Sequence, residues 1–218
     1  MKRSIKRHLK EDEFVSEMNK FWNLVRKWQK EIIIAAIALG AVALVFLGFQ
    51  ALKSRQVGRD SRELGRILEL RSTLAKNPDN VAELERAAAK GKFARIAALG
   101  LATFWIEQGQ LDKAQAALAL VKDSPRDFSY YQAQDLTAQV AILKGEYDRA
   151  IAVLKKIEDE KPKDYILDAV QFHHAEALEK KGSLPEAIAL YKKLQEEYAQ
   201  SYYGYDASAR VRKLEAAK

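Results

Sequence analysis

His173, His174 and Glu176 come nearest, by residue type and spacing, to a chemical site. A histidine and a glutamate three residues apart share one helix face, which is how a helix presents two ligands to zinc or sets a base beside a proton donor. Two ligands are too few for a metal site, and the third histidine, His8, stands far away near the other end of the chain. There are no cysteines, so disulfides, thiolate zinc sites, cysteine nucleophiles and lipid attachment through cysteine are all excluded. No glycine-rich phosphate loop follows a strand and no Gly-x-Ser-x-Gly elbow occurs. The acidic run Glu158-Asp159-Glu160 precedes Lys161 and reads as solvated surface. The expectation is a protein with no catalytic residues, no metal and no cofactor.

The elements that would have to position any site are unevenly apolar. From Ile32 to Leu52 the chain runs IIIAAIALGAVALVFLGFQAL without a charge, long enough to cross the hydrocarbon core as a helix. A cleaved signal peptide has a shorter apolar core and a small-residue exit, so this segment reads as an uncleaved anchor. Lys2, Arg3, Lys6, Arg7, Lys10, Lys20, Arg26, Lys27 and Lys30 precede it, whereas Lys53, Arg55, Arg59, Arg62 and Arg66 follow it. The positive-inside bias therefore places the N-terminus in the cytoplasm. The net charge of +7 divides as nine bases against five acids in residues 1–52 and twenty-eight against twenty-five beyond. The part after the span is nearly balanced, which disfavours nucleic acid as a partner.

Before the span, Phe14, Met18, Phe21, Val25 and Trp28 recur at spacings of four and three, with Trp22 beside them. This is one apolar helical stripe. Phe21, Trp22 and Trp28 are the expected membrane-interface residues, and a docking helix for a protein partner is the other reading of the same stripe. Ala36 and Gly40 form a small-xxx-small pair through which two spans could approach, making a homodimer possible.

After the span the pattern is helical throughout, and it repeats. Gly109-Gln-Leu-Asp-Lys-Ala114, Gly145-Glu-Tyr-Asp-Arg-Ala150 and Gly182-Ser-Leu-Pro-Glu-Ala187 align at intervals of 36 and 37 residues. Each glycine can take the left-handed conformation that ends one helix and turns the chain back. Ala102, Ala138 and Ala175 each stand seven residues before a glycine, so small side chains fall where two antiparallel helices cross. Ser183 and Glu186 have capping-box spacing around Pro185. Two further helices, Ser61 to Lys76 and Val81 to Lys90, precede the repeats, and Ser201 to Leu214 supplies a final one, where Tyr202, Tyr203 and Tyr205 form an aromatic cluster that reads as packing of the cap, with a binding patch as the other reading. Only Gly58 opposes a continuous helix from the span into the Ser61 helix.

Over residues 95–201 this pattern resembles the tetratricopeptide repeat family, departing from it in its longer period and in Ala199 where the family usually has proline. The resemblance implies an all-α fold: an N-terminal transmembrane helix, then an α-solenoid of tetratricopeptide-like helix-turn-helix repeats. Its expected parts are a cytoplasmic basic segment (1–30), the span (31–53), a helical spacer and cap (54–94), three repeats (95–201) and a capping helix (202–218). It implies a groove for protein partners lined by Leu99, Thr103, Asp135, Gln139, Phe172 and Glu176. None of these is the lysine or asparagine that clamps a C-terminal carboxylate in some members. The order of parts is also similar to the YfgM-like family, ancillary subunits of the bacterial Sec translocon. That likeness implies an inner-membrane protein with a periplasmic repeat domain and translocon subunits, envelope clients or chaperones as partners. A scaffold that recruits outer-membrane assembly or cell-division factors is the alternative.

Overall fold

The computed structural model describes residues 16–216. Phe14 of the stripe, His8, and the basic residues Lys2, Arg3, Lys6, Arg7 and Lys10 lie outside the described residues, as do the side chains of Ile32 and Ala36. The described chain is all-helical and divides into two compact units, residues 1–59 and 60–218.

In the first unit a helix over residues 16–27 (α1) ends at Trp28, whose amide donates to the Leu24 carbonyl at 3.1 Å. Helix α2 (Gln29–Thr73) follows and passes Gly58 without a break. Among the described residues it is the one helix long and apolar enough to cross a membrane, with mean hydropathy 2.9 in its most apolar stretch and none of that stretch buried in protein. Ile33, Leu39, Val45 and Phe49 are all exposed there. Burying a side chain of that kind is worth about 1.5–3 kcal/mol, so the run calls for apolar surroundings that the protein does not provide.

The second unit begins with the end of α2. Ile67, Leu70 and Leu74 enter a core with Leu84 of α3 (Asn80–Ala89) and with Ala97 and Leu101 of α4 (Ala94–Glu107). Ion pairs Arg66–Glu83 and Lys92–Asp60 brace this start of the stack.

Three helix pairs and a cap follow: α4 with α5 (Leu111–Leu118), α6 (Phe128–Leu143) with α7 (Tyr147–Glu160), α8 (Asp168–Lys181) with α9 (Leu184–Glu197), and α10 (Tyr202–Ala216). Helices α4, α6, α8 and α10 pack in succession as an inner layer, and each of α5, α7 and α9 wedges against the two inner helices beside it. Ala102 with Ala114, Ala138 with Ala150 and Ala175 with Ala187 are fully buried, each pair inside its own core cluster. Small side chains at these crossings let the helix axes approach closely, as their spacing predicts.

One turn is used three times. Gly109, Gly145 and Gly182 have φ of +68°, +78° and +92°, and their amides donate three residues back, to Ile106, Ile142 and Glu179. The next amides, of Gln110, Glu146 and Ser183, donate five residues back to Trp105, Ala141 and Leu178 at 2.8–2.9 Å. This is the Schellman closure, and it needs a left-handed residue at its centre. The same three residues open the following helix, their carbonyls accepting from Ala114, Ala150 and Ala187. The expected capping box at Ser183 does not form: its side chain makes no cap hydrogen bond. The backbone amide that Glu186 would have accepted from is already bonded to Leu178.

Candidate protein-binding face

The six positions expected to line a groove lie on the inner helices, but to different depths. Leu99 and Phe172 are only 6% exposed and belong to the cores of the first and third repeats, and Asp135 is 5% exposed. Thr103, Gln139 and Glu176 are half-buried and keep part of their side chains open. The Thr103 hydroxyl donates to the Leu99 carbonyl at 3.0 Å, and Glu176 pairs with Lys180 one turn on. The open surface at these six positions is therefore polar, with apolar groups beneath it.

The structure brings Asp135, Gln139 and Phe172 into one network that sequence spacing did not indicate. Asp135 Oδ1 lies 2.8 Å from His173 Nδ1, and Gln139 Nε2 donates to Asp135 Oδ2 at 3.1 Å. Phe172 stacks against Tyr191 and Tyr203, with ring centroids 5.5 and 5.3 Å apart, and Tyr203 also meets the His173 ring edge-on. His173 thus turns to α6 rather than to Glu176, and His174 points elsewhere, bonding Glu158 at 2.9 Å. Burial acts to lower the His173 pKa, but the hydrogen bond and charge of Asp135, with Glu176 and Asp168 adding to them, outweigh it and raise the imidazole above its ordinary 6.5. Burial, with Asp135 and Asp168 nearby, pushes the Tyr165 and Tyr203 phenols up. Among the described residues no group of three or more His, Cys, Asp or Glu is placed to hold a metal ion.

Two surface readings are corrected. Asp159 is exposed as expected, but Glu158 and Glu160 are only partly open and hold partners: Glu158 bonds His174, and Glu160 accepts from Arg126 at 2.9 Å and from the Tyr131 hydroxyl at 3.1 Å. Only Tyr203 of the terminal tyrosines packs inward, because Tyr202 and Tyr205 stand on the outside of α10.

A further open surface comes from a difference in length that sequence reasoning missed. The outer helix α5 has 8 residues where α7 and α9 have 14. It ends at Leu118, well before Ser124-Pro125, whereas α7 runs almost to Pro162. Leu120 is left exposed beside a cleft of about 300 Å³ lined by Leu101, Trp105, Lys113, Ala116 and Glu85, with the Lys113 ammonium 4.3 Å from the Trp105 ring centre. The prolines did not announce it, because Pro125 and Pro162 stand 16 and 17 residues after Gly109 and Gly145.

On the first unit, Phe21, Trp22 and Trp28 are exposed and Val25 is half-buried. Phe21 and Trp22 meet edge-on with centroids 6.2 Å apart.

Helix pairs stacked around three small cores, capped by a last helix and preceded by one long apolar helix, define a helical-repeat protein. Residues 19–202 match the family of tetratricopeptide repeat-like domains, and the chain belongs to it. Such a domain is a protein-binding repeat scaffold, of a kind typically without catalysis. No curated protein and no solved structure matches the chain significantly.

Proposed function

We propose that this protein is a membrane-anchored scaffold that holds other proteins at the bacterial Sec translocon while envelope polypeptides are translocated or fold. The observation that carries the reading is the joining, within one family match, of an apolar helix with no protein to bury it and a repeat array whose inner layer keeps Thr103, Gln139 and Glu176 partly open. Stacked helix pairs recognise extended or helical segments through such a face. The sparing supply of apolar side chains there favours transient clients over a permanent subunit interface. In this reading α2 is retained as an anchor, the N-terminus is cytoplasmic, the repeats are periplasmic, and Phe21, Trp22 and Trp28 sit at the membrane interface. The scaffold acts by binding and performs no catalysis.

Photo-crosslinking in cells from Gln139 and Glu176 tests the partner assignment. Adducts with channel subunits and nascent envelope chains are expected; adducts confined to outer-membrane assembly or division factors overturn it. Protease added to spheroplasts should cut the repeat domain, and protection behind an intact inner membrane would reverse the topology.

A further inference from the structure

We infer that the buried pair of His173 and Asp135 is a proton-controlled latch that fixes the third repeat and the capping helix against the second repeat.

The pair sits where three inner helices meet. Asp135 comes from α6, His173 from α8, and Tyr203 of α10 closes over the imidazole at 5.7 Å. Both members of the pair are buried, and their bond is one of few direct polar links between the inner helices of consecutive repeats. The groups facing His173 are Asp135 and Gln139 from α6, Asp168 and Glu176 from α8 itself, Tyr165 from the connection between α7 and α8, and Tyr203 from α10. Glu158 of α7 is bonded to His174, and Tyr191 of α9 meets Phe172, so neither competes for His173. No lysine or arginine is among these groups, so the imidazolium is the cation that balances Asp135.

The direction of the response follows from that balance. With His173 protonated, a charge-assisted bond ties α8 to α6, with Tyr203 of α10 against the same ring. When the proton leaves, one N–H can still reach Asp135, but the buried carboxyl group then has only neutral donors, His173 and Gln139, in place of a cation. A folded-state pKa above 6.5 means that the pair's contribution is complete below 6.5 and is lost as pH rises through the folded value. Alkaline conditions therefore loosen the third repeat and α10 from the second, while the second and the first, which share no such pair, keep their packing.

The absence of cysteine allows a direct test on the full chain in lipid nanodiscs. Spin labels at Leu143→Cys and Arg212→Cys, both exposed, report the spacing of α6 and α10 from about pH 5.5 to about pH 8.5, while NMR follows the His173 ring over the same range. The expected result is a His173 midpoint above 6.5 and a distance distribution that broadens with the same midpoint. In Asp135→Asn, the imidazole should lose about tenfold or more of its proton affinity, and in His173→Gln the distance should no longer respond to pH. A His173 midpoint at or below 6.5 in the unmodified pair, or a distance that stays constant while the ring titrates, overturns the latch. Because His173→Gln keeps a donor for Asp135, it tests the idea even where Asp135→Asn does not fold.

Discussion

The turns inside the repeats and the junctions between them are built on opposite principles. Three turns share one glycine, one pair of backbone bonds and one pair of buried alanines. Each junction is held by a device of its own. Between the first and second repeats, the Arg95 guanidinium donates to Asp127 and to the carbonyls of Pro125 and Lys122, while Asp127 also caps α6. Between the second and third, Lys161 adopts a left-handed φ of 46° and the Tyr165 ring inserts beside Phe128 and Tyr131. At the cap, Gly204 passes so close to the Tyr198 carbonyl that no side chain fits between them. Repetition thus specifies the unit, and single residues specify how units succeed one another.

Substitutions can break that contrast, beginning with the largest expected effect. In Gly204→Ala the added carbon would overlap the Tyr198 carbonyl oxygen, and backbone must move to admit it. A loss of about 3 kcal/mol is expected, read as a lower denaturant midpoint, together with faster hydrogen exchange confined to α9 and α10. Ala138→Leu forces three carbons into a fully buried helix crossing and should cost about 2–3 kcal/mol. Its exchange signature should centre on α6 and α7 instead. Gly145→Ala meets open space but keeps a φ of +78°, so only the left-handed penalty of about 1–2 kcal/mol applies. A Gly145→Ala loss as large as that of Gly204→Ala would erase the distinction between turn and junction.

The smallest effect belongs to the ion pairs that link neighbouring repeats. Lys144 bonds Asp112 at 2.7 Å and Lys181 bonds Asp148 at 2.6 Å. Lys144 holds the Asp112 carboxyl below its usual range, yet Asp112 is open to solvent and salt screens such pairs. Lys144→Met should leave the melting temperature unchanged within error. A clear drop that vanishes in high salt would instead make these pairs part of the junction.

The sequence predicted the parts that repeat. A glycine and two alanines at fixed offsets carry their meaning in any copy, because φ and side-chain volume are local properties. The Asp–Lys pairs also had a readable signal, since Asp112 and Asp148 each stand three residues after a repeat glycine while Lys144 and Lys181 each stand one residue before the next. The candidate site was less legible for a physical reason. Whether Leu99, Asp135 and Phe172 are open or covered depends on neighbouring helices and on Tyr203, a residue in a different helix. The pairing of His173 with Asp135 spans 38 positions, and no local rule selects it over the nearer Glu176.

Pro185 occupies the position that Asp112 and Asp148 fill in the earlier repeats, and it has no carboxylate to offer a following lysine. In its place, cross-helix charges bind the cap directly, Lys192 to Glu215 and Arg210 to Glu179. The array thus carries a written end: two repeats bear a socket for a successor and the third does not. Because such an exposed pair contributes little stability, the socket marks the order of the repeats and leaves the holding to the residues of each junction.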